Sequence, residues 1–219
     1  MFRLLNIERK FIMRIHNPLD KILNNEAKIK ILRFLCRTEA EWSGRQIAKE
    51  MKLNPVTCHK ALLELNNERV LLLRIIGKSY LYSINKKNFI VSNLLKPLYE
   101  KESKISENLY KMIVKDTPFL QKNKVISIAV FGSMVKREEK PTSDIDILVL
   151  IKNSEDKKEI EKYFERINER IMSKFSKTIS AYIQSIDEFK LKYERDLVLI
   201  KNILNSHKLL IGKPLKELL

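Results

Sequence analysis

Glycine, cysteine, proline and tryptophan are all scarce in this chain: its 219 residues include 4 Gly, 2 Cys, 6 Pro and 1 Trp. So little Gly and Pro in a chain that is 44% hydrophobic excludes collagen-like and low-complexity disordered classes. Cys36 and Cys58 have no partner at C-x-x-C spacing. That excludes a disulfide scaffold and a zinc knuckle, and it fits reduced intracellular thiols. No apolar run approaches the roughly 18 residues of a membrane span, and Arg3, Glu8, Arg9, Lys10 and Arg14 interrupt the first fifteen residues where a leader's apolar region would stand. The expectation is a cytoplasmic protein without membrane contact, of one or two domains, with Met13 as an alternative start.

What is abundant is positive charge. Lys and Arg number 43 against 27 Asp and Glu, a net +16. Residues 1–90 hold 18 basic and 8 acidic residues, whereas residues 125–219 hold 18 and 15. A basic front end joined to a near-balanced back end points to polyanion binding by the first and a different task for the second.

The few glycines punctuate the chain. Between Lys21 and Arg37, Ile22, Leu23, Ile29, Ile31, Leu32, Phe34 and Leu35 recur at three- and four-residue spacing, which predicts a largely buried helix. Ser43 is placed as N-cap of a short helix carrying Ile47, Ala48 and Met51. Asn54-Pro55 is a cap followed by a first-turn proline, opening a helix that turns Cys58, Ala61, Leu62 and Leu65 inward. Val70–Ile76 and Tyr80–Ile84 are β-rich runs joined at Gly77-Lys78, which predicts a hairpin.

Three helices and then a hairpin is the order of a winged helix-turn-helix. The stretch S-G-R-Q-I-A-K-E-M-K-L-N-P-V-T-C-H-K-A-L-L-E-L, continuing to V-L-L-L-R-I-I-G-K-S-Y-L-Y-S-I-N, resembles the winged-helix domains of prokaryotic transcription regulators over residues 22–88. The resemblance implies that the helix after Asn54 enters the major groove of double-stranded DNA, with Val56, Thr57, His59 and Lys60 facing outward. Arg45 and Lys78 would then hold backbone phosphates. Each outward residue also reads as ordinary solvated surface.

Residues 89–124 lose the strand pattern, with breaks at Pro97 and Pro118; Ile105, Leu109, Met112 and Ile113 predict a connecting helix. A helix so placed suits pairing between protomers, and a two-fold homodimer would present two reading helices to two half-sites.

Val125–Phe131 is an apolar strand that Gly132-Ser133 ends abruptly, and Asp144-Ile145-Asp146 opens the next strand. Alternation along a strand puts Asp144 and Asp146 on one face. Two such carboxylates repel unless a cation lies between them. Mg²⁺ accepts a few carboxylates plus phosphate oxygens, so the pair suits a nucleoside triphosphate carrying its metal.

This stretch, F-G-S-M-V-K-R-E-E-K-P-T-S-D-I-D-I-L-V, resembles the signature of the polymerase-beta-like nucleotidyltransferase superfamily, in particular its minimal branch. The resemblance implies that Gly132, Ser133 and Lys136 bind the triphosphate, ATP being the expected nucleotide, and that Asp144 and Asp146 are catalytic metal ligands in a two-ion Mg²⁺ site. Arg137 stands where relatives commonly have Gly. Active members place a third carboxylate on the strand after the first long helix. Here that strand, Thr178–Ser185, offers Ser180, Tyr182, Gln184 and Ser185 but no Asp or Glu, which leaves the two-ion site incomplete. A charged helix over Glu155–Ser176 and a helix carrying Phe189, Leu191, Leu197, Leu199 and Ile203, capped by Asp187, complete the domain.

The expected fold is therefore α+β: an N-terminal extension (1–21), a winged helix-turn-helix domain of three helices plus a β-hairpin (22–88), a helical linker (89–124) and a small nucleotidyltransferase-fold α/β domain with a mixed sheet (125–219). Two functions follow. One is a DNA-binding protein that binds Mg-NTP and transfers a nucleoside monophosphate to a hydroxyl acceptor, a protein among the candidates. The other is a non-catalytic transcription regulator using the nucleotidyltransferase fold as nucleotide sensor or dimerisation module.

Overall fold

The computed structural model describes residues 15–115, 124–136 and 138–219. Met13, Pro118 and Arg137, singled out above, lie outside them. The chain forms two compact units that divide between Lys104 and Ile105.

The first unit opens with α1 (Leu19–Ile22) and α2 (Glu26–Thr38). The continuous helix expected from Lys21 is broken here, because the Asn25 side chain accepts the Lys28 amide at 2.9 Å and starts a new helix. A short strand β1 (Trp42–Ser43) leads into α3 (Gly44–Glu50), where Ser43 and Gln46 form a reciprocal capping box. Asn54 caps α4 (Pro55–Asn67), which has Pro55 in its first turn. Strands β2 (Leu71–Ile76) and β3 (Ser79–Ile84) form the expected antiparallel hairpin, and β1 adds to it in the order β1-β3-β2. This is the winged helix arrangement. Ile31, Leu32, Ile47, Leu62, Leu65 and Val70 are fully buried in its core, and Cys36 and Cys58 are free, buried thiols. Burial pushes the Cys36 thiol up to about 11, so it behaves as core rather than as a nucleophile.

One core member is charged. Lys28, 2% exposed, ion-pairs with Glu64 at 2.6 Å and donates to the Lys21 carbonyl at 2.6 Å, tying α2 to α4. Removing the counter-charge leaves a buried ammonium, so Glu64→Gln is expected to cost about 2 kcal/mol, below the figure for a fully buried pair because Glu64 reaches solvent. Urea unfolding of the two proteins measures it. A turn of π-helix (Val91–Leu95) and α5 (Lys96–Ser103) complete the unit, held by Arg33, whose guanidinium grips Glu102 through two bonds of 2.7 Å.

The second unit contains α6 (Ile105–Val114), β4 (Val125–Phe131), α7 (Ser133–Lys136), β5 (Ile145–Ile151), α8 (Lys157–Phe175), β6 (Ile179–Ser185), α9 (Ile186–Glu194), α10 (Val198–Asn205) and β7 (His207–Gly212). Its strands lie in the order β6-β5-β4-β7, with β5 and β6 parallel and the other pairs antiparallel, which makes the sheet mixed. Alternation splits the core in two. Ile145, Ile147, Val149 and Ile151 pack with α6 and α8, while Leu148 and Leu150 pack with Phe189, Ile200 and Ile203 of α9 and α10. The last helical segment departs from expectation twice. Ser185, not Asp187, caps α9 through a capping box with Glu188, and α9 and α10 are separate helices, with Leu191, Leu197 and Leu199 exposed. Gly212 closes β7 against β4: at φ +93° an added Cβ would lie 2.0 Å from the Ile126 carbonyl oxygen, so only glycine fits. Among the described residues no helix is long and apolar enough to cross a membrane.

Candidate nucleotide corner and nucleic-acid interface

The corner between β4 and β5 is built by strand register. Phe131 pairs with Asp146, and Asp146 pairs on its other side with Ser180 of β6. Cross-strand neighbours share a face, so Asp146 stands on the α9–α10 side of the sheet, at the end those helices leave uncovered: Asp144 is exposed and Asp146 is half-buried. Gly132 follows Phe131 at φ +75°, and a Cβ there would sit 2.2 Å from Asp146 Oδ2. The backbone can pass this close to the carboxylate only because the residue is glycine. Ser133 and Lys136 begin and end α7, which packs against β4 and β5; Ser133 is half-buried and Lys136 exposed.

Burial, and next the nearby charge of Asp144, raise the Asp146 pKa above the ordinary carboxylate value. Asp144 is thus close enough to disfavour the charge of Asp146, and the pair has the chemistry of a ligand set for one hard cation completed by phosphate oxygens. Among the described residues no three His, Cys, Asp or Glu side chains gather into a metal-holding group. Ser180 stands level with Asp146 on β6.

Because the folded-state pKa of Asp146 lies above its unfolded value, its ionised form carries a cost in the fold above that pKa. The cost disappears as the pH falls through it. Asp146→Asn should therefore raise the melting temperature at pH 7 by about 2 °C in the absence of ligands, measured by differential scanning calorimetry.

Two residues not singled out from the sequence fix Asp144. The Thr178 hydroxyl donates to Asp144 Oδ1. Lys177 Nζ donates to the carbonyls of Lys140, Pro141 and Ser143 at 2.8, 2.8 and 2.9 Å, pinning the turn that delivers Asp144 to β5. Only the parallel β5–β6 register brings these residues together, across 34 positions of sequence. Lys177→Ala is expected to lower Mg-nucleotide affinity about tenfold without unfolding the unit, as read by calorimetric titration, since it frees the turn but leaves both carboxylates in place.

In the first unit, Val56, Thr57, His59 and Lys60 are all exposed on α4, Arg45 is exposed in the first turn of α3, and Lys78 is exposed at the hairpin turn. Arg45 and His59 share a concavity of about 380 Å³ with Gly44, Pro55, Tyr80 and Tyr82. Val56, Thr57 and Lys60 line the other side of α4, in a groove of about 650 Å³ that also takes in Asn24, Lys30 and Glu64. The hairpin is more apolar than a simple phosphate contact requires, with Ile75, Ile76 and Tyr80 exposed.

Among solved structures, the chain is similar to a possible transcriptional regulatory protein from Mycobacterium bovis (fragment 1-100), at 22% identity over 39% of this chain and 87% of that one, TM-score 0.33. It is similar to the AntR antimony-specific transcriptional repressor at 20% identity over 41% and 78%, TM-score 0.35. A third similarity is to a toxin-antitoxin crystallised with AMP-PNP, at 21% identity over 50% and 77%, TM-score 0.32. No curated protein matches the chain. Residues 115–214 match the family model described as Polymerase beta, Nucleotidyltransferase, so the part of the chain that carries Gly132, Ser133, Asp144 and Asp146 is a nucleotidyltransferase domain of that family.

Proposed function

We propose that this is a DNA-binding protein whose second unit binds a nucleoside triphosphate, ATP in the first instance, with Mg²⁺, and transfers the nucleoside monophosphate to a hydroxyl acceptor. The observation that carries the reading is Asp146 pressed against Gly132, with its pKa raised by burial and by the charge of Asp144 nearby. Mg²⁺, when bound, would be held by Asp144, Asp146 and phosphate oxygens, and would neutralise charge at the reacting phosphate. The remaining work falls to the chain. The Gly132 backbone and Ser133 hydroxyl bind phosphate oxygens, Lys136 offsets their charge, and Lys177 and Thr178 keep Asp144 aimed at the corner.

One observation favours a second reading. With Ser180 beside Asp146, β6 offers neither a third ligand nor a base to take the acceptor's proton. The unit then serves as a nucleotide sensor or dimerisation module of a transcription regulator. Incubation with labelled ATP, Mg²⁺ and candidate acceptors, proteins included, separates the two. Label transfer that Asp144→Asn abolishes supports the enzyme. Tight nucleotide binding with pyrophosphate at background for every NTP supports the sensor.

For the first unit, Val56, Thr57, His59 and Lys60 read base edges and phosphates of double-stranded DNA, and Arg45 and Lys78 hold its backbone. A homodimer would place two α4 helices in two half-sites, and the cytoplasm is the compartment this chemistry fits.

A further inference from the structure

Beside the nucleotide corner lies a second polar group that the proposed function leaves unused. Tyr182 and Gln184 follow Ser180 on the same face of β6. From its cap at Ser185, α9 runs back over that face and buries Phe189 with Leu148 and Leu150. Lys192 therefore arrives above Tyr182. Its Nζ donates to the Tyr182 hydroxyl at 2.9 Å and to Oε1 of Gln184, and lies 5.1 Å from the centre of the Tyr182 ring. Gln184 is only 5% exposed, and its Nε2 donates to the Ile183 carbonyl at 2.6 Å, which aims its oxygen at the lysine.

Every partner of this half-buried ammonium is neutral. Among the described residues no carboxylate pairs with it, whereas Lys28 and Lys201 each have one and Lys124 has two. An ammonium withdrawn from water gains little from neutral partners alone, and Lys192 has a third N–H to give. An incoming anion would supply the missing charge.

We propose that Tyr182, Gln184 and Lys192 form an oxyanion subsite on the β6 side of the corner, which takes a phosphate or carboxylate group of the acceptor. In-line displacement puts the acceptor opposite the departing pyrophosphate. With the phosphates at Gly132-Ser133, at the end of β4, the acceptor enters over β6, and Tyr182 lies two residues, about 7 Å, along that strand from Ser180. The assignment of the anion to an acceptor rests on the function proposed above; the subsite itself rests on Lys192 and its neutral partners.

The test is a site-resolved NMR titration of the full chain with inorganic phosphate and, separately, with acetate, after saturation with Mg²⁺ and a nonhydrolysable ATP analogue. Resonances of Ser185 and Lys192 should shift with at least one of the two anions, and the one that binds more tightly names the group. Lys192→Gln should weaken that anion about tenfold, Lys192→Arg should keep it within about threefold, and Tyr182→Phe, which leaves the charge in place, should weaken it by a smaller factor. The analogue's own affinity should stay the same in all three. Shifts that persist unchanged in Lys192→Gln, or no shift at β6 and α9 with either anion, would overturn the subsite. If the analogue itself does not bind, the nucleotide reading fails, and the same titration of the ligand-free chain still decides whether Lys192 holds an anion.

Discussion

Replacing Gly132 by alanine is expected to abolish Mg-nucleotide binding while leaving the chain folded. Two costs add at this position. At φ +75° an L side chain is strained by about 1–2 kcal/mol. The new methyl group would also lie 2.2 Å from Asp146 Oδ2 and 3.1 Å from its Cγ, so something must move. What moves is the carboxylate, because the Asp146 side chain can rotate away whereas the β4–β5 ladder cannot shift without breaking its register. The thermal cost is then modest, about 5 °C or less. Under the proposed function the cost is large, at least a hundredfold in affinity, because the carboxylate leaves the position from which it would hold a phosphate-bound metal. The coupling is testable as well. In an Asp146→Ala background the alanine at 132 has no carboxylate to displace, and its penalty should shrink to the backbone strain alone.

The second large effect concerns DNA. If Arg45, Lys60 and Lys78 neutralise phosphates, about three counterions leave per protomer, and affinity should fall roughly sixfold for each doubling of salt. The double variant Lys60→Ala, Lys78→Ala should lose at least tenfold at fixed salt and flatten the logarithmic salt slope by about two. The exposed position of both side chains leaves fold stability unchanged. Fluorescence anisotropy on duplex fragments over a salt series gives both quantities. An unaltered slope in the variant would assign the positive charge of this unit to ordinary surface.

How much of this was legible in the sequence depends on how local each feature is. Ser43 and Asn54 announce their helices because a cap acts within three residues. The hairpin at Gly77-Lys78 is equally local. The shared face of Asp146 and Ser180 needs more, since alternation places each residue on its own strand but only the parallel register sets them level. Features that exist solely through such pairing stay hidden. Nothing in the sequence ties Lys177 and Thr178 to the turn and carboxylate of Asp144 until β6 docks beside β5, or Lys28 to Glu64 until α4 packs against α2. The breaks at Asn25 and between α9 and α10 were masked by apolar residues that kept helical spacing across them. Ser185, the last residue of the expected strand, caps α9 in place of Asp187 because Glu188 completes the reciprocal bond from inside the helix. Gly212 gave no local sign of a need for glycine; that need arises from a β4 carbonyl 86 residues away in the chain.

The central claim is that Asp144 and Asp146 form a metal-dependent nucleotide site with Gly132 and Ser133. Isothermal titration of the full chain with a nonhydrolysable ATP analogue, with and without Mg²⁺, tests it most directly when repeated on Asp144→Asn. The account predicts binding by the unaltered chain that requires Mg²⁺ and falls at least a hundredfold in the variant. Equal affinity in the two proteins, or binding indifferent to Mg²⁺, would contradict it.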